Sequence, residues 1–326
     1  MSSSQGTCVC IDAGSQFCPC VLADLGECVA CSLLKGEDLC DCSWSGVCIY
    51  SEWLWAGRRP LPPRPEFELP LIQIDSGSNT LAVFTVEIPG GLAGDVSAIG
   101  AFLFLRPPGT RQCFNTPVSL MDIHGCRARF SVQIVGPKTK ALARSSGVLL
   151  ARGPYWNGIW GVQRLRNLRD SRALIVAKGI GQGPAVHVAG RLIGGGNSVT
   201  VAFTPSDSIP FVFVEKDLRG VGASLVRLDG GGGEMERSLA DMIGDFDLVH
   251  SSGPDTQHRM ITRLIRQASP RTKFTASNNS VMCCGDGVCG GCGVSTKTNH
   301  WTRACKASVN PEQVSLLNEE ELWHDA

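Results

Sequence analysis

Near its C-terminal end the chain reads Met282-Cys283-Cys284-Gly285-Asp286-Gly287-Val288-Cys289-Gly290-Gly291-Cys292, and Cys305 follows. This is Cys-x4-Cys-x2-Cys with a distal fourth thiolate, the spacing that holds a [2Fe–2S] cluster. The glycines let the backbone wrap tightly and turn its N–H groups toward the sulfurs, because glycine takes positive φ at little steric cost. The expected ligands are Cys284, Cys289, Cys292 and Cys305, and the expected chemistry is the carriage of single electrons. Cys283 stands outside the spacing and reads as a small residue packed beside the cluster.

A second set of thiols opens the chain: Cys8, Cys10, Cys18, Cys20, Cys28, Cys31, Cys40, Cys42 and Cys48. So dense a thiolate set, with no histidine in it, suits soft or borderline metals. A stretch under ~50 residues buries too little apolar surface to fold alone, so a metal would supply folding energy. Three readings stand: a [4Fe–4S]-type iron–sulfur site, a zinc knuckle, and a disulfide knot, the last opposed by a reducing compartment. The chain thus carries two separate metal regions flanking a middle with little thiol chemistry, where Cys113 and Cys126 read as small core residues.

A third feature is Gly179-Ile180-Gly181-Gln182-Gly183-Pro184, between the apolar run Ala173–Ala177 and a helical pattern over 185–193. A strand–glycine turn–helix unit lets a pyrophosphate approach the backbone at a helix N-terminus. By itself such a turn also arises for packing alone.

These groups must be held by elements, and the pattern divides the chain in five. Residues 1–55 form a cysteine-rich metal module. A proline-rich linker, extended and stiff, runs over 56–66, with the linker character beginning at Trp53. Short alternating runs over 67–168 (80–88, 101–105, 130–135, 147–151) read as an antiparallel barrel or sandwich. Residues 169–268 read as a Rossmann-like α/β domain. Its strands lie at 173–177, 199–203 and 247–250, with a helix at 259–265. Residues 269–326 form a small cluster lobe and a tail. The fold class is α+β, multi-domain.

Further motifs lie in the barrel: Thr116-Pro117-Val118-Ser119, Gly136-Pro137-Lys138-Thr139, and Gly153-Pro154-Tyr155-Trp156-Asn157-Gly158. With these the chain resembles the ferredoxin–NADP reductase superfamily over about residues 67–306. It looks most like the electron-transfer subunit of dihydroorotate dehydrogenase and the flavin subunit of NADH-dependent ferredoxin:NADP oxidoreductase. The resemblance implies FAD on the barrel, NADP(H) or NAD(H) on the α/β domain and [2Fe–2S] in the C-terminal lobe. It implies that Thr116, Pro117, Val118, Ser119, Gly136, Lys138, Thr139, Gly153, Pro154, Asn157 and Gly158 serve the flavin. Gly179, Gly181, Pro184, Gly253 and Pro254 would serve the nucleotide. With the N-terminal block added, the chain resembles the flavin subunit of an Stn-type electron-bifurcating transhydrogenase.

Three positions depart from the family. Asn115 replaces the flavin-segment arginine, leaving Arg106 and Arg111 as cationic candidates; Ser252 replaces the cysteine of Cys-Gly-Pro; and Ser277-Asn278-Asn279-Ser280 lacks the usual acidic residue. A 2′-phosphate would need Arg191 or Lys216, since residues 204–211 offer no cation. His187 reads as packing, and Asp255 either as a group that touches the ribose or as a helix cap.

The functional expectation is a flavin iron–sulfur oxidoreductase subunit passing electrons between NADP(H), FAD and [2Fe–2S] within a bifurcating, ferredoxin-dependent transhydrogenase. No catalytic acid–base residue is assigned. Partners would be other iron–sulfur and flavin subunits, and ferredoxin through the complex. One alternative is an NAD-linked electron-transfer subunit of a dehydrogenase; another is a non-catalytic iron–sulfur scaffold. The balance of 30 basic and 30 acidic residues points away from nucleic acid and anionic membranes. No apolar run reaches the ~18–20 residues of a membrane span. The first residues lack a signal peptide's features, so a cytoplasmic location is expected. Residues 311–323 read as an acidic helix that either docks on a partner through Leu316, Leu317 and Trp323 or packs on its own domain.

Overall fold

The computed structural model describes residues 9–228, 232–297 and 301–317, so Cys8, Trp323 and the last residues lie outside the described part. The cysteine-rich segment contains β1 (Val9–Cys10), α1 (Val21–Asp24) and α2 (Ile49–Trp55). Its own small core is built on Cys28, Cys31, Leu34, Ile49 and Trp53. The Trp53–Pro65 linker reading is therefore corrected at its start: Trp53 is helical and buried, and the extended stretch begins after α2.

Six strands form the barrel: β2 (Glu66–Ser78), β3 (Leu81–Glu87), β4 (Phe102–Arg106), β5 (Thr116–His124), β6 (Arg127–Gln133) and β7 (Val148–Tyr155). They close in the order β2-β3-β6-β5-β4-β7, each neighbour antiparallel. Closure removes the free edges that an open sheet would expose. Leu69, Phe84, Leu103, Leu120, Phe130 and Leu149 fill the interior, all 2 % exposed or less. Two short helices, α3 (Gly90–Val96) and α4 (Pro137–Ala143), lie in the connections from β3 to β4 and from β6 to β7.

The second sheet has the order β11-β10-β9-β12-β13-β8, with β8 (Ile159–Trp160), β9 (Arg172–Ala177), β10 (Ser198–Phe203), β11 (Ser224–Arg227), β12 (Leu248–Ser252) and β13 (Lys273–Ser277). All pairs are parallel except β13–β8 at one edge. β9 lies inside and, after the exposed Arg172, is apolar because both faces are covered. Leu174 and Val176 face one layer, with α8 (Gly232–Ile243) and α9 (Asp255–Ala268); Ala173, Ile175 and Ala177 face the other, with α5 (Val162–Arg166), α6 (Gln182–Gly194) and α7 (Glu215–Gly220).

The C-terminal lobe holds β14 (Gly293–Ser295), β15 (Trp301–Arg303) and β16 (Ala307–Ser308). β16 pairs with β1, joining the two ends of the chain. The expectation of two separate cysteine regions is thereby corrected. Leu22 and Val29 share one apolar cluster with Met282, Cys292, Cys305 and Ala307, and Cys10 and Cys20 pack against it. The acidic helix over 311–323 is also corrected over its described part: Pro311–Gln313 and Ser315–Leu317 are separate 3-10 turns, with Leu317 buried and Leu316 exposed. No helix among the described residues is long and apolar enough to cross a membrane.

Candidate functional site

The barrel and the parallel sheet meet around a cavity of about 830 Å³. It lies off the C-terminal ends of β9, β10, β12 and β13, where open α/β sheets bind ligands. Thr116, Pro117, Val118 and Ser119 enter its wall from the barrel side, with Thr139 and Gly158. Gly179, Gly181, Pro184, Gly253 and Pro254 enter from the sheet side. Segments far apart in sequence, singled out for two different ligands, thus line one space.

Other expected residues lie outside that lining. Gly136 begins the α4 turn, whose end is tied by Thr139 Oγ1 accepting the Val135 and Gly136 N–H groups at 2.9 and 3.2 Å. Lys138 Nζ donates to the Asn115 carbonyl at 3.3 Å, so it sits beside the Thr116 segment. Gly153 has φ +146°, and a Cβ there would stand 2.8 Å from Leu103. The Pro154 carbonyl accepts from Arg64 Nε. Asn157 is fully buried and donates to the Ala304 and Ala307 carbonyls, fastening the barrel exit to the C-terminal lobe.

The glycines of the 179–184 turn divide by cause. Gly179 has φ +56°, and a Cβ there would meet Ser206 Oγ at 3.1 Å. At Gly181 a Cβ would fall 2.1 Å from the Ser252 carbonyl, and Ser252 Oγ donates to the Gly181 carbonyl at 2.7 Å. Ser252 is therefore part of this packing. Gly183, which sequence reading passed over, faces Ser131 with no room for a Cβ. Ser131 lines the cavity with a buried hydroxyl that has no partner among the described residues. With the N-terminal end of α6 and a run of backbone and hydroxyl donors, this wall fits a phosphate-bearing cofactor.

Residues that sequence reasoning missed include Lys178, Ser206, Asp207 and Ser208, all in the wall. Asp207 follows the end of β10, the second strand of the nucleotide unit. Its signal was its position rather than any motif. Gln182 holds this loop, donating to the Phe211 carbonyl at 3.1 Å and accepting from Phe213 N–H at 3.2 Å. Asn279 in the 277–280 segment donates to the Gly253 carbonyl and to Asp255 Oδ1, both at 2.9 Å.

Several expectations are corrected here. Arg106 is paired with Glu66 at 2.7 Å and is not available to a phosphate; Arg111 is exposed. Arg191 lines a different cavity, with Arg166 and Arg169, and Lys216 is exposed on α7 outside the main one. Asp255 is the first residue of α9; Pro254 is the capping position and there is no side-chain cap. Cys113 and Cys126 are exposed, so neither is a core residue; Cys283, also exposed, lies beside Gly291 in the thiol loop. His187 agrees with its packing role: it is buried, its Nε2 lies 2.9 Å from the Ser97 carbonyl, and burial lowers it to about 4.

In the C-terminal lobe Cys305 hydrogen-bonds with Cys284 and Cys292, and Cys284 with Cys289. Hydrogen bonds from Cys305 favour the Cys284 and Cys292 thiolates and push Cys305 itself up. The Asp286 and Gly291 N–H groups donate to Cys284 and Cys289 sulfur at 3.4 Å. Gly285, Gly287 and Gly290 all have positive φ, and a Cβ at Gly285 would strike the Tyr155 ring at 2.4 Å. Among the described residues no group of three or more His, Cys, Asp or Glu side chains is placed to hold a metal ion.

Arg64 in the extended stretch joins these parts. Its guanidinium pairs with Asp12 at 2.6 Å and lies 4.3, 4.4 and 5.2 Å from the ring centres of Phe17, Tyr155 and Trp156. Asp12 also accepts from Lys306 Nζ at 2.7 Å. Burial alone would raise the Asp12 carboxyl, but Lys306 and Arg64 together hold it below the usual carboxylate range.

No protein-family model matches the chain, and no curated protein does. Solved structures do. One is the NADH-dependent reduced ferredoxin–NADP oxidoreductase described for flavin-based electron bifurcation, with TM-score 0.60, 19% identity, and coverage of 76% of this chain and 89% of that one. Another is full-length CYP116B46 from Tepidiphilus thermophilus, with TM-score 0.55, 16% identity, and coverage of 81% of this chain but 44% of that one. A third is the ferredoxin reductase in carbazole 1,9a-dioxygenase, in its FAD apo form, with TM-score 0.50, 12% identity, and coverage of 66% and 68%. At these identities the likeness is one of fold: the closed antiparallel barrel followed by a parallel α/β sheet is the ferredoxin–NADP reductase-like architecture.

Proposed function

We propose that the chain is a flavin- and iron–sulfur-dependent oxidoreductase subunit, passing electrons between a nicotinamide nucleotide, FAD and a [2Fe–2S] cluster. The observation that carries this reading is the single cavity walled by 116–119 on the barrel side and 179–184 on the sheet side. FAD, when bound, accepts two electrons as hydride and releases them singly. The chain's part is to hold and orient. The 116–119 strand start and Thr139 present hydroxyl and backbone groups to the flavin, while the α6 N-terminus offers N–H groups to phosphate. Cys284, Cys289, Cys292 and Cys305 would hold the cluster. His258 beneath the wall is buried and neutral at pH 7, lowered by burial to about 4, and serves packing.

Anaerobic purification followed by metal and flavin analysis tests the reading. We expect one FAD and about two irons assigned to the C-terminal thiols, with flavin bleaching on addition of NADH or NADPH. Absence of flavin together with no spectral response to either nucleotide would sink it in favour of an iron–sulfur scaffold.

The larger assignment, to an electron-bifurcating ferredoxin-dependent transhydrogenase complex with further iron–sulfur and flavin subunits, is supported by the cysteine block at the N-terminus. A tag on this chain should recover such companions in one native particle; recovery of the chain alone from its own cells would count against it. A second reading, an NAD-linked electron-transfer subunit, is favoured by Asp207. A carboxylate at the end of the second strand suits a free ribose 2′-hydroxyl and repels a 2′-phosphate. The expected kcat/KM favours NADH over NADPH, and Asp207→Ser narrows that ratio by about tenfold or more.

A further inference from the structure

A second cavity, of about 590 Å³, lies between the turn that precedes β4 and the helices α5 and α6. Ala98 and Ile99 come from that turn, Arg166 from the end of α5, Arg169 from the loop after it, and Arg191 from the last turn of α6. The main cavity is reached by the other end of α6, through Pro184. Thirteen helical residues, Gln182–Gly194, span roughly 18 Å. The two cavities therefore lie at opposite ends of one helix and are separate sites.

Among the described residues this wall contains three arginines and no acidic side chain. None of the three pairs with a carboxylate of the described residues. Arg166 gives Nε and Nη2 to the Ile99 carbonyl at 3.2 and 2.8 Å, and Arg169 gives Nη1 to the Arg166 and Leu168 carbonyls at 2.8 and 2.6 Å. These neutral acceptors position the side chains and leave their charge uncompensated. Burial lowers the Arg166 guanidinium from its usual range, with no anion to oppose it. Nor are the arginines spent on capping α6. The Gly195 N–H donates to the Arg191 and Leu192 carbonyls, the Gly196 N–H to the Ile193 carbonyl, and Asn197 Nδ2 to the Leu192 carbonyl. The wall is also fixed in advance: His187 Nε2 lies 2.9 Å from the Ser97 carbonyl, so the 97–99 turn is tied to both α6 and α5. Cations held in place before a ligand arrives lose little further freedom on binding it.

We propose that Arg166, Arg169 and Arg191 form a binding site for a small phosphorylated molecule bearing two or more negative charges, separate from the cavity assigned to the flavin and nicotinamide nucleotide. A guanidinium fork meets two phosphate oxygens at once, and a wall of one sign draws the anion in. The volume falls in the range of small-molecule pockets, about 300–1,000 Å³. Ile99, Leu165, Leu168 and Leu192 offer apolar contact to the organic part of the ligand. A concave wall built from three segments suits such a molecule better than an acidic protein face, which a flat arginine patch would serve. The inference does not depend on the redox reading.

Inorganic pyrophosphate is the probe, titrated calorimetrically into the full chain, purified anaerobically, at constant ionic strength. We expect binding that Arg169→Gln and Arg191→Gln each weaken by about tenfold or more. Lys216→Gln, on α7 outside both cavities, should leave that binding unchanged. No binding at millimolar pyrophosphate, or binding that all three variants leave alone, would overturn the site. Citrate bound more tightly than pyrophosphate would overturn the phosphate assignment. Binding of a polyglutamate peptide alone would replace the small molecule with an acidic protein segment and reject the proposal. Because a variant can fail to fold, hydrogen exchange of the unaltered chain gives an independent answer. Pyrophosphate should slow exchange in peptides covering 166–171 and 190–197, whereas slowing confined to 179–184 would put the anion in the main cavity and reject the second site.

Discussion

Asp12, Arg64 and Lys306 form a buried ionic group, each 5 % exposed or less. Removing one member of such a group strands the charge of another. Arg64→Leu leaves Asp12 with a single counterion and also removes a cation stacked on three rings; we expect a loss of about 3–5 kcal/mol, read as a shift in the urea midpoint. Gly181→Ala tests a different cause. Its methyl would lie 2.1 Å from a backbone carbonyl, which cannot rotate away. The expected cost is about 1–3 kcal/mol, with weaker nucleotide-induced bleaching because the turn moves away from the cavity. Gly179 and Gly181 were legible in the sequence as a turn, and Ser119 and Pro184 as companions. Asp12 and Arg64 were not, since a lone aspartate and an arginine in a proline-rich run carry no spacing that reports burial. Arg106 misled for the same reason: sequence showed a cation near the flavin segment but not Glu66 beside it.

At the scale of elements, the barrel strands and the parallel sheet were readable because burial imposes a period of two on one and continuous apolarity on the other. The predicted strands fall within a few residues of β3, β4, β6, β7, β9, β10 and β12. The β1–β16 contact was not readable, since two-residue strands carry no periodicity and their partners lie at opposite ends of the chain. The 56–66 stretch was legible as extended and stiff but not as a strap. Leu61 N–H donates to the Pro19 carbonyl at 2.9 Å, and Arg64 is buried among the parts it joins. We therefore expect the Leu61 amide to be protected from hydrogen exchange in the anaerobically purified protein. Treatment with a metal chelator should speed its exchange, read by mass spectrometry of the peptide that spans it. Equal protection of Leu61 with and without chelator would show that the strap holds independently of the thiol sites.

Among the described residues of the whole molecule, three histidines are buried without charge: His187 and His258 are lowered to about 4 and His250 to about 3, burial being the main cause of each. They are neutral in the fold and take up protons in the unfolded chain below about pH 6.5. The unfolded state therefore binds more protons as pH falls, and stability is full above that point and declines through the window down to about pH 4. Between pH 7.5 and 5.5 the three together should cost about 4 kcal/mol, measurable as a fall in the denaturation midpoint followed by tryptophan fluorescence. His250→Asn and His258→Asn should each flatten this dependence, even if they lower stability at pH 7.5.

The pairing of β1 with β16 sets an order on biosynthesis. Val9 finds its partner only at Ser308, and Asp12 finds Lys306 only slightly earlier. At about 5–20 residues per second, the opening cysteines leave the ribosome roughly 15–60 s before the strand that anchors them. During that interval they are a thiol-rich segment with no folded site to occupy. A chain that has emerged only as far as β13 has every strand of its barrel and parallel sheet, yet its first cysteines still await β16.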